Sequence, residues 1–141
     1  MVPRIKILRP EQTPIKKHAG DAGFDVFSDI DHLFWPGMTR KIPLGFCIEL
    51  PHGWFAMISE RSGMAANQSF FTIGNIIDCT YRGEVHAILY NGDPNNRQQI
   101  NKGDKIAQMI ILPCYTSRIF ETVDILHDSP RGDSGFGSTG K

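Results

Sequence analysis

Ile106-Ala-Gln-Met-Ile-Ile-Leu112 is the stretch of sequence that decides the fold of this chain. An extended backbone here carries apolar side chains on both faces, and so does the segment Trp54-Phe-Ala-Met-Ile58. A strand with one face in water alternates apolar and polar residues, whereas strands such as these need cover on both sides. They therefore predict either a central position in a sandwich or a contact between subunits.

Short apolar runs separated by turn residues extend over the rest of the chain. Pro36-Gly37 and Pro51-His52-Gly53 are typical of tight turns between neighbouring strands. Many short strands at this spacing indicate an all-β sandwich, barrel or jelly roll. The predicted strands cover 4–8, 24–27, 39–42, 46–50, 54–58, 69–73, 84–90, 97–100, 105–112 and 118–123, and one short helix is predicted over 61–67.

Length and composition exclude several classes of protein. The 141 residues suffice for one domain with a core but not for two. Lys plus Arg number 15, as do Asp plus Glu, so no net charge attracts nucleic acid or a membrane. The three cysteines form no zinc-type cluster. Without a long apolar run at the N-terminus we expect no secretory signal and no membrane span, and hence a cytoplasmic protein, or a nuclear or host-cytoplasmic one if a virus encodes it.

The C-terminal segment Arg131-Gly-Asp-Ser-Gly-Phe-Gly-Ser-Thr-Gly140 has almost nothing to bury. Its glycines would let backbone N–H groups reach phosphate oxygens, and Arg131 would add positive charge. Phe136 would stack on a base. We therefore interpret residues 130–141 as a lid over a phosphorylated ligand and residues 1–129 as the β domain. The alternative is a flexible tail without a role, which would need neither Arg131 nor Phe136.

A second candidate segment is Ser59-Glu-Arg-Ser-Gly-Met-Ala65. It puts Arg61, Ser62 and Gly63 at the start of the predicted helix. Helix N-termini have backbone N–H groups without helical partners and carry a partial positive charge, so they suit phosphate. The alternative is that Ser62 only caps the helix.

A third candidate segment is Gly74-Asn-Ile-Ile-Asp-Cys-Thr-Tyr-Arg-Gly83. Asp78 follows two isoleucines, which indicates a carboxylate at the mouth of an apolar hairpin. Such a group can orient and deprotonate a water molecule, and the ring of Tyr81 can pack on a sugar. The alternative is that Asp78 forms a turn and that Tyr81 belongs to the core.

Two further segments, Asp21-Ala-Gly-Phe-Asp25 and Lys102-Gly-Asp-Lys-Ile-Ala-Gln108, complete a set of five. In order and spacing the set resembles the motifs of the trimeric deoxyuridine triphosphatases (dUTPases), over nearly the whole chain. The resemblance implies an all-β jelly-roll protomer, a distorted barrel of the β-clip type with one short helix and a flexible C-terminal arm. It also implies a homotrimer whose active sites are shared between the subunits.

The resemblance further implies a reaction and a site. The reaction is hydrolysis of dUTP to dUMP and pyrophosphate, which keeps uracil out of DNA and supplies dUMP for thymidylate synthesis. Asp78 would activate the water that attacks the α-phosphorus, and Tyr81 would pack on the deoxyribose and exclude a 2′-hydroxyl. The hairpin backbone at Ile76 and Ile77 would bind uracil. Mg²⁺ would be held by the phosphates and water without a direct protein ligand, and Asp25 would support the site. The other expected substrate-binding residues are Arg61, Ser62, Gly63, His86, Gln108, Arg131, Phe136, Gly137 and Ser138.

Some residues depart from the family pattern, and two other functions stay open. Glu60 stands where the family usually has proline, and Thr72 stands where some relatives carry an asparagine that contacts uracil. A deoxycytidine triphosphate deaminase would share the fold but should lack the glycine-rich final motif. A nucleotide-responsive binding protein would use the same site as a switch for a protein partner.

Overall fold

The computed structural model describes residues 2–117 and 120–133, and its regular elements are strands apart from one short helix and one 3₁₀ turn. The all-β class predicted from the sequence is therefore confirmed. The elements are β1 (Arg4–Ile7), the 3₁₀ turn (Pro10–Gln12), β2 (Phe24–Phe27), β3 (His32–Phe34), β4 (Thr39–Glu49), β5 (Trp54–Ser59), α1 (Ser62–Gln68), β6 (Phe70–Thr72), β7 (Ile76–Ile77), β8 (Glu84–Asn91), β9 (Gln98–Ile100) and β10 (Lys105–Pro113).

The strands form two four-stranded antiparallel sheets and a two-stranded one. The first sheet has the order β1-β4-β8-β6, the second has the order β2-β10-β5-β7, and β3 pairs with β9. Both larger sheets contribute buried side chains to one core, for example Phe46 and Leu89 from the first and Ile58 and Met109 from the second. Over the described residues the sheets keep separate edges, so the expected distorted barrel is not closed and the jelly roll is a two-layer sandwich.

The strands β5 and β10 occupy the centre of the second sheet, as one of the two sequence-based alternatives predicts. Their inner faces, with Ala56, Ile58, Ala107 and Met109, are buried in the core. Their outer faces carry apolar side chains that are only half-buried on this chain, namely Phe55, Met57, Ile110 and Leu112. The sheet therefore has an apolar outer surface that the chain itself covers only in part.

The strand β4 differs from the prediction, because the two runs at 39–42 and 46–50 are one strand with a bulge. The register against β8 shifts between Pro43 and Cys47. Gly45 lies in this interval with a φ of +76°, and a Cβ there would lie 2.6 Å from the Cβ of Gln12. Proline cannot donate to a ladder, and bulges are where strands accept it. The residues that suggested a break therefore bend a continuous strand.

Three other differences concern short elements. The strands β3 and β7 were not predicted, since two or three residues carry too little periodicity. The strand predicted at 118–123 is not formed over its described residues, 120–123, which are exposed and belong to no strand. The helix begins one residue later than predicted. Within residues 2–117 and 120–133 no helix is long and apolar enough to span a membrane.

Candidate functional site

The first cleft, which we call the arginine cleft, has a volume of about 370 Å³ and lies where β2, β10 and the start of α1 meet. It contains four of the predicted site residues, Arg61, Ser62, Gly63 and Gln108. The remaining lining residues are Ile15, Lys17, Asp21, Ala22, Gly23 and Asp25.

Asp25 organises the charges of the arginine cleft. Its Oδ1 lies 3.0 Å from Nε of Arg61, and its Oδ2 lies 2.9 Å from Nζ of Lys105. The carboxylate is 19% exposed, so it is shielded from water more than either cation. Because one carboxylate engages two cations, it restrains both of them, and one of the two positive charges of this trio is left unbalanced. This geometry suits a supporting residue.

Gln108 holds the backbone that precedes Arg61. It lies on the central strand β10, opposite Asp25 on one side and Ser59 on the other. Its Nε2 donates a hydrogen bond of 3.0 Å to the carbonyl oxygen of Glu60. Gly23 lies so close that a Cβ there would come within 2.8 Å of Oε1 of Gln108. The glycine of the first motif therefore makes room for the glutamine of the fourth.

Ser62 lies inside the helix instead of capping it. Arg61 is the N-cap residue, with extended backbone angles and no capping hydrogen bond from its side chain. The first helical bond runs from the N–H of Ala65 to the carbonyl of Arg61 at 3.0 Å. Ser62 and Gly63 are exposed to solvent. The alternative that Ser62 serves only as the cap is therefore wrong.

The second cleft, which we call the hairpin cleft, has a volume of about 230 Å³. It contains five of the predicted site residues, Ile76, Ile77, Asp78, Tyr81 and His86. Lys41, Gly74, Glu84 and Ile88 complete its lining. Asp78 is exposed, and its carbonyl accepts a hydrogen bond of 3.1 Å from the N–H of Tyr81. Asp78 thus forms a turn and also presents its carboxylate to solvent.

One carbonyl fixes the two rings of the hairpin cleft. The hydroxyl of Tyr81 donates to the carbonyl of Glu84 at 2.9 Å, and Nδ1 of His86 lies 2.8 Å from the same oxygen. A carbonyl only accepts, so Nδ1 of His86 carries the proton. Tyr81 is 41% exposed, so the alternative that it belongs to the core is wrong. The carboxylate of Glu84 is engaged elsewhere, by Arg9 and the N–H of Gly45.

The two clefts have no lining residue in common. Strand β5 connects them, because Ala56 pairs with Ile77 of the hairpin while the end of β5 leads into Arg61. A single chain therefore does not bring Asp78 and Arg61 into one cleft. Arg131 is exposed and lines neither cleft. The other predicted arm residues, Phe136, Gly137 and Ser138, lie outside the described residues.

Sequence reasoning missed several cations at these clefts. Lys17 lines the arginine cleft, Lys105 is paired with Asp25, and Lys41 lines the hairpin cleft. Lys105 lies within one of the five segments, and Lys17 lies just before another. Their positions in the sequence could therefore have indicated that both are near the site. Lys41 comes from a strand that pairs with β8, so only the register brings it to the hairpin.

Comparison with known proteins shows which family this chain belongs to. The dUTPase family model matches residues 9–140. The deoxyuridine 5′-triphosphate nucleotidohydrolase of Clostridium tetani is 43% identical over 141 residues, covering 98% of this chain and 96% of the relative. The dUTPase of Staphylococcus bacteriophage 80alpha with dUPNHPP superposes with a TM-score of 0.89 at 24% identity, covering 99% of each chain. A D95N dUTPase from phage phi11 of S. aureus, described with a structural Mg(II) ion, has a TM-score of 0.81 at 21% identity, covering 91% of this chain and all of that one. This chain belongs to the dUTPase family.

Proposed function

We propose that this protein hydrolyses dUTP to dUMP and pyrophosphate. The observation that carries the proposal is the family match over residues 9–140, which includes the hairpin with Asp78, the Arg61-Ser62-Gly63 segment and the C-terminal motif. The C. tetani relative is named for the same reaction. In the cell the reaction would keep uracil out of DNA and supply dUMP for thymidylate synthesis.

Asp78 is the proposed base. Its carboxylate is exposed at the rim of the hairpin cleft, where a water molecule can lie between it and a bound nucleotide. It would orient this water for in-line attack on the α-phosphorus and accept its proton as the bond to pyrophosphate breaks. Positioning of the water would be its larger contribution, since a carboxylate is a weak base at neutral pH.

The arginine cleft is the proposed seat of the triphosphate. Arg61 is held by Asp25, and the exposed residues Ser62 and Gly63 follow it at the start of α1. Phosphoryl transfer depends mainly on positioning and on neutralising the charge that develops on phosphate oxygens. Gln108 would hold the loop from beside the phosphates. Arg131 of the arm would reach the γ-phosphate, and Gly137 and Ser138 would wrap the chain of phosphates.

The carboxylates of the arginine cleft already have partners, which favours a Mg²⁺ ion that binds together with the substrate. Asp25 is already engaged by two cations, and Oδ2 of Asp21 accepts a hydrogen bond from the N–H of His18. In the described part of the chain no cluster of three or more His, Cys, Asp or Glu side chains could cage a metal. We propose that phosphates and water hold the ion without a direct protein ligand, and that it neutralises phosphate charge. The phage phi11 dUTPase is described with a structural Mg(II) ion, so a protein of this fold binds the metal proposed here.

The hairpin cleft is the proposed pocket for deoxyuridine. Backbone groups at Ile76 and Ile77 would bind the edge of uracil, and Tyr81 would pack against the deoxyribose where a 2′-hydroxyl would clash. Cytosine reverses the donor and acceptor pattern, and sites built on hydrogen bonds reject such analogues by about 10⁴–10⁵-fold. Phe136 would stack on the base. His86, which the carbonyl of Glu84 orients, would be a further contact to the substrate.

A homotrimer with shared sites is part of the proposal. One chain carries the hairpin and arginine clefts at separate places, so a complete site would join the hairpin of one chain to the arginine cleft of another. The half-buried outer face of β5 and β10 supports this, because a second copy would cover it. Apolar residues ahead of the arm, such as Phe120 and Ile125, are also exposed. Residues 130–141 of a third chain would close the site as a lid.

One assay tests the proposed reaction. Pyrophosphate release is measured with dUTP, dTTP, dCTP and UTP, each with Mg²⁺, and ammonia release is followed in the dCTP reaction. We expect rapid release from dUTP alone. Ammonia from dCTP would identify a deaminase. Binding of dUTP without any turnover would identify a nucleotide-responsive binding protein.

A further inference from the structure

The residue before Arg61 makes a hydrogen bond that joins the two sheets. Glu60 follows β5 of the second sheet, and Thr72 is the last residue of β6 in the first sheet. The hydroxyl of Thr72 donates to Oε2 of Glu60 at 2.6 Å, and both residues are half-buried. A bond of this length to a carboxylate belongs to the stronger, charge-assisted class.

The state of the carboxylate agrees with a strong bond. The Thr72 hydroxyl, followed by backbone N–H groups of Glu60 and Thr72, holds the pKa of Glu60 below its ordinary value of 4.5, against the opposing effect of burial. Glu60 is therefore ionised at neutral pH. Its charge is directed into this contact, because Glu60 is not among the residues that line the arginine cleft.

Three strands thus restrain two consecutive residues. Thr72 of β6 holds the side chain of Glu60, and Gln108 of β10 holds its carbonyl at 3.0 Å. Asp25 of β2 holds the guanidinium of Arg61 at 3.0 Å. A charged side chain on a restrained backbone samples fewer conformations before the ligand binds. It therefore loses less conformational entropy when it engages the ligand.

We propose that Glu60, through its hydrogen bond with Thr72, is a positioning residue that sets Arg61 for the triphosphate. The inference rests on the proposed hydrolysis of dUTP. In this role Glu60 contacts neither the substrate nor the attacking water molecule. It acts through the loop that carries Arg61. A negative side chain next to a polyanion site is tolerated because Thr72 draws the carboxylate away from the arginine cleft.

The sign of the effect separates this role from a plain surface charge. If Glu60 only added negative charge near the phosphates, its neutralisation in Glu60→Gln would tighten triphosphate binding. If it positions Arg61, the same variant weakens triphosphate binding, since the charge-assisted bond becomes a neutral one. Thr72→Val removes the donor and keeps the shape and the charge of Glu60, whereas Thr72→Ser keeps the donor.

Four proteins are compared: wild type, Thr72→Val, Thr72→Ser and Glu60→Gln. For each we measure kcat and KM for dUTP, and Kd for the analogue dUpNHpp and for dUMP, after checking the fold by circular dichroism. We expect Thr72→Val to raise KM and the analogue Kd about tenfold, as loss of one charge-assisted bond implies. Thr72→Ser should stay within about twofold of wild type, and Glu60→Gln should raise the analogue Kd several-fold. The Kd of dUMP should change little, because dUMP lacks the β- and γ-phosphates.

Several outcomes would overturn the inference. These are unchanged analogue affinity in Thr72→Val, tighter analogue binding in Glu60→Gln, or a loss of dUMP affinity as large as that of the analogue, which would assign Thr72 to the base. If Thr72→Val does not fold, the sign of the change in Glu60→Gln still decides. A wild-type protein that releases no pyrophosphate from dUTP would instead refute the proposed function.

Discussion

Asp25 and Arg61 are paired through Oδ1 and Nε at 3.0 Å, and the second oxygen of the same carboxylate holds Lys105 at 2.9 Å. These residues come from β2, from the loop after β5 and from the start of β10, respectively. Neighbouring strands bring them together, since β10 pairs with both β2 and β5. The charge of the arginine cleft is thus set by strand order.

Asp25→Asn should raise KM for dUTP about tenfold, because Arg61 and Lys105 lose the charged partner that fixes them. Steady-state kinetics with dUTP measures the effect. Asp31→Asn is a matched control, since this exposed carboxylate accepts a hydrogen bond from the N–H of Lys102 and lines neither cleft. An unchanged KM in Asp25→Asn would show that Arg61 does not need this partner.

Asp78→Asn should lower kcat by about 10²–10⁴-fold and leave the Kd of dUpNHpp nearly unchanged. The amide keeps the shape of the side chain but is a far weaker base. Single-turnover kinetics and equilibrium binding of the analogue separate the two quantities. Full turnover in this variant would exclude Asp78 as the base.

If the protein is the proposed trimer, mixed assemblies of two variants should show whether sites are shared. Asp78→Asn and Arg61→Ala chains are each expected to be nearly inactive alone, because each lacks one half of every site. Refolded together, they should regain a substantial fraction of activity, since some sites then combine an intact hairpin cleft with an intact arginine cleft. Activity that stays at the level of the separate variants would mean that both halves act within one chain.

Deletion of residues 130–141 should preserve the fold and assembly and lower kcat/KM for dUTP by about 10²-fold or more. The reason is that the lid would supply Arg131 and would exclude bulk solvent while the attacking water stays inside. Circular dichroism and size-exclusion chromatography serve as controls. Phe136→Ala should weaken analogue binding without this loss of closure, since it removes only stacking on the base. Wild-type kcat/KM in the truncated protein would refute the lid.

Stability should depend on pH through His32. Burial, followed by the charge of Arg40, lowers the pKa of His32 from its ordinary value of 6.5. Its Nε2 is buried without a hydrogen bond to any described residue. At His32 the unfolded chain therefore binds a proton more readily than the folded chain. The contribution of neutral His32 to the free energy of unfolding is full above pH 6.5, and it is lost as the pH falls below that value toward the folded pKa.

His32→Leu should make the free energy of unfolding less dependent on pH below 6.5. Urea titrations at several pH values measure the slope. His52→Asn, in an exposed turn, is the matched control and should keep the wild-type dependence. The same slope in His32→Leu as in wild type would assign the effect to other groups.

Much of the fold followed from local pattern. Turn residues and apolar runs located β1, β2, β5, β6, β8, β9 and β10 and the helix within one or two residues. The strands β1, β2, β5 and β8 each follow directly after a glycine or proline, which marks where they begin. The bulge in β4 was not foreseen, since Pro43 and Gly45 are read locally as a break. Only pairing of β4 with β8 on both sides of these residues makes them a bend in one strand.

The sequence by itself determined the family, the chemical groups of the candidate site and the apolar character of β5 and β10, since these properties depend on residue types and their order. The tertiary structure alone decided how those groups are distributed. It separates Asp78 and Arg61 into two clefts, joins Asp25 to Arg61 and Lys105, and links Glu60 to Thr72. Such contacts join residues far apart in the chain, so they depend on strand order and register, which no local pattern encodes.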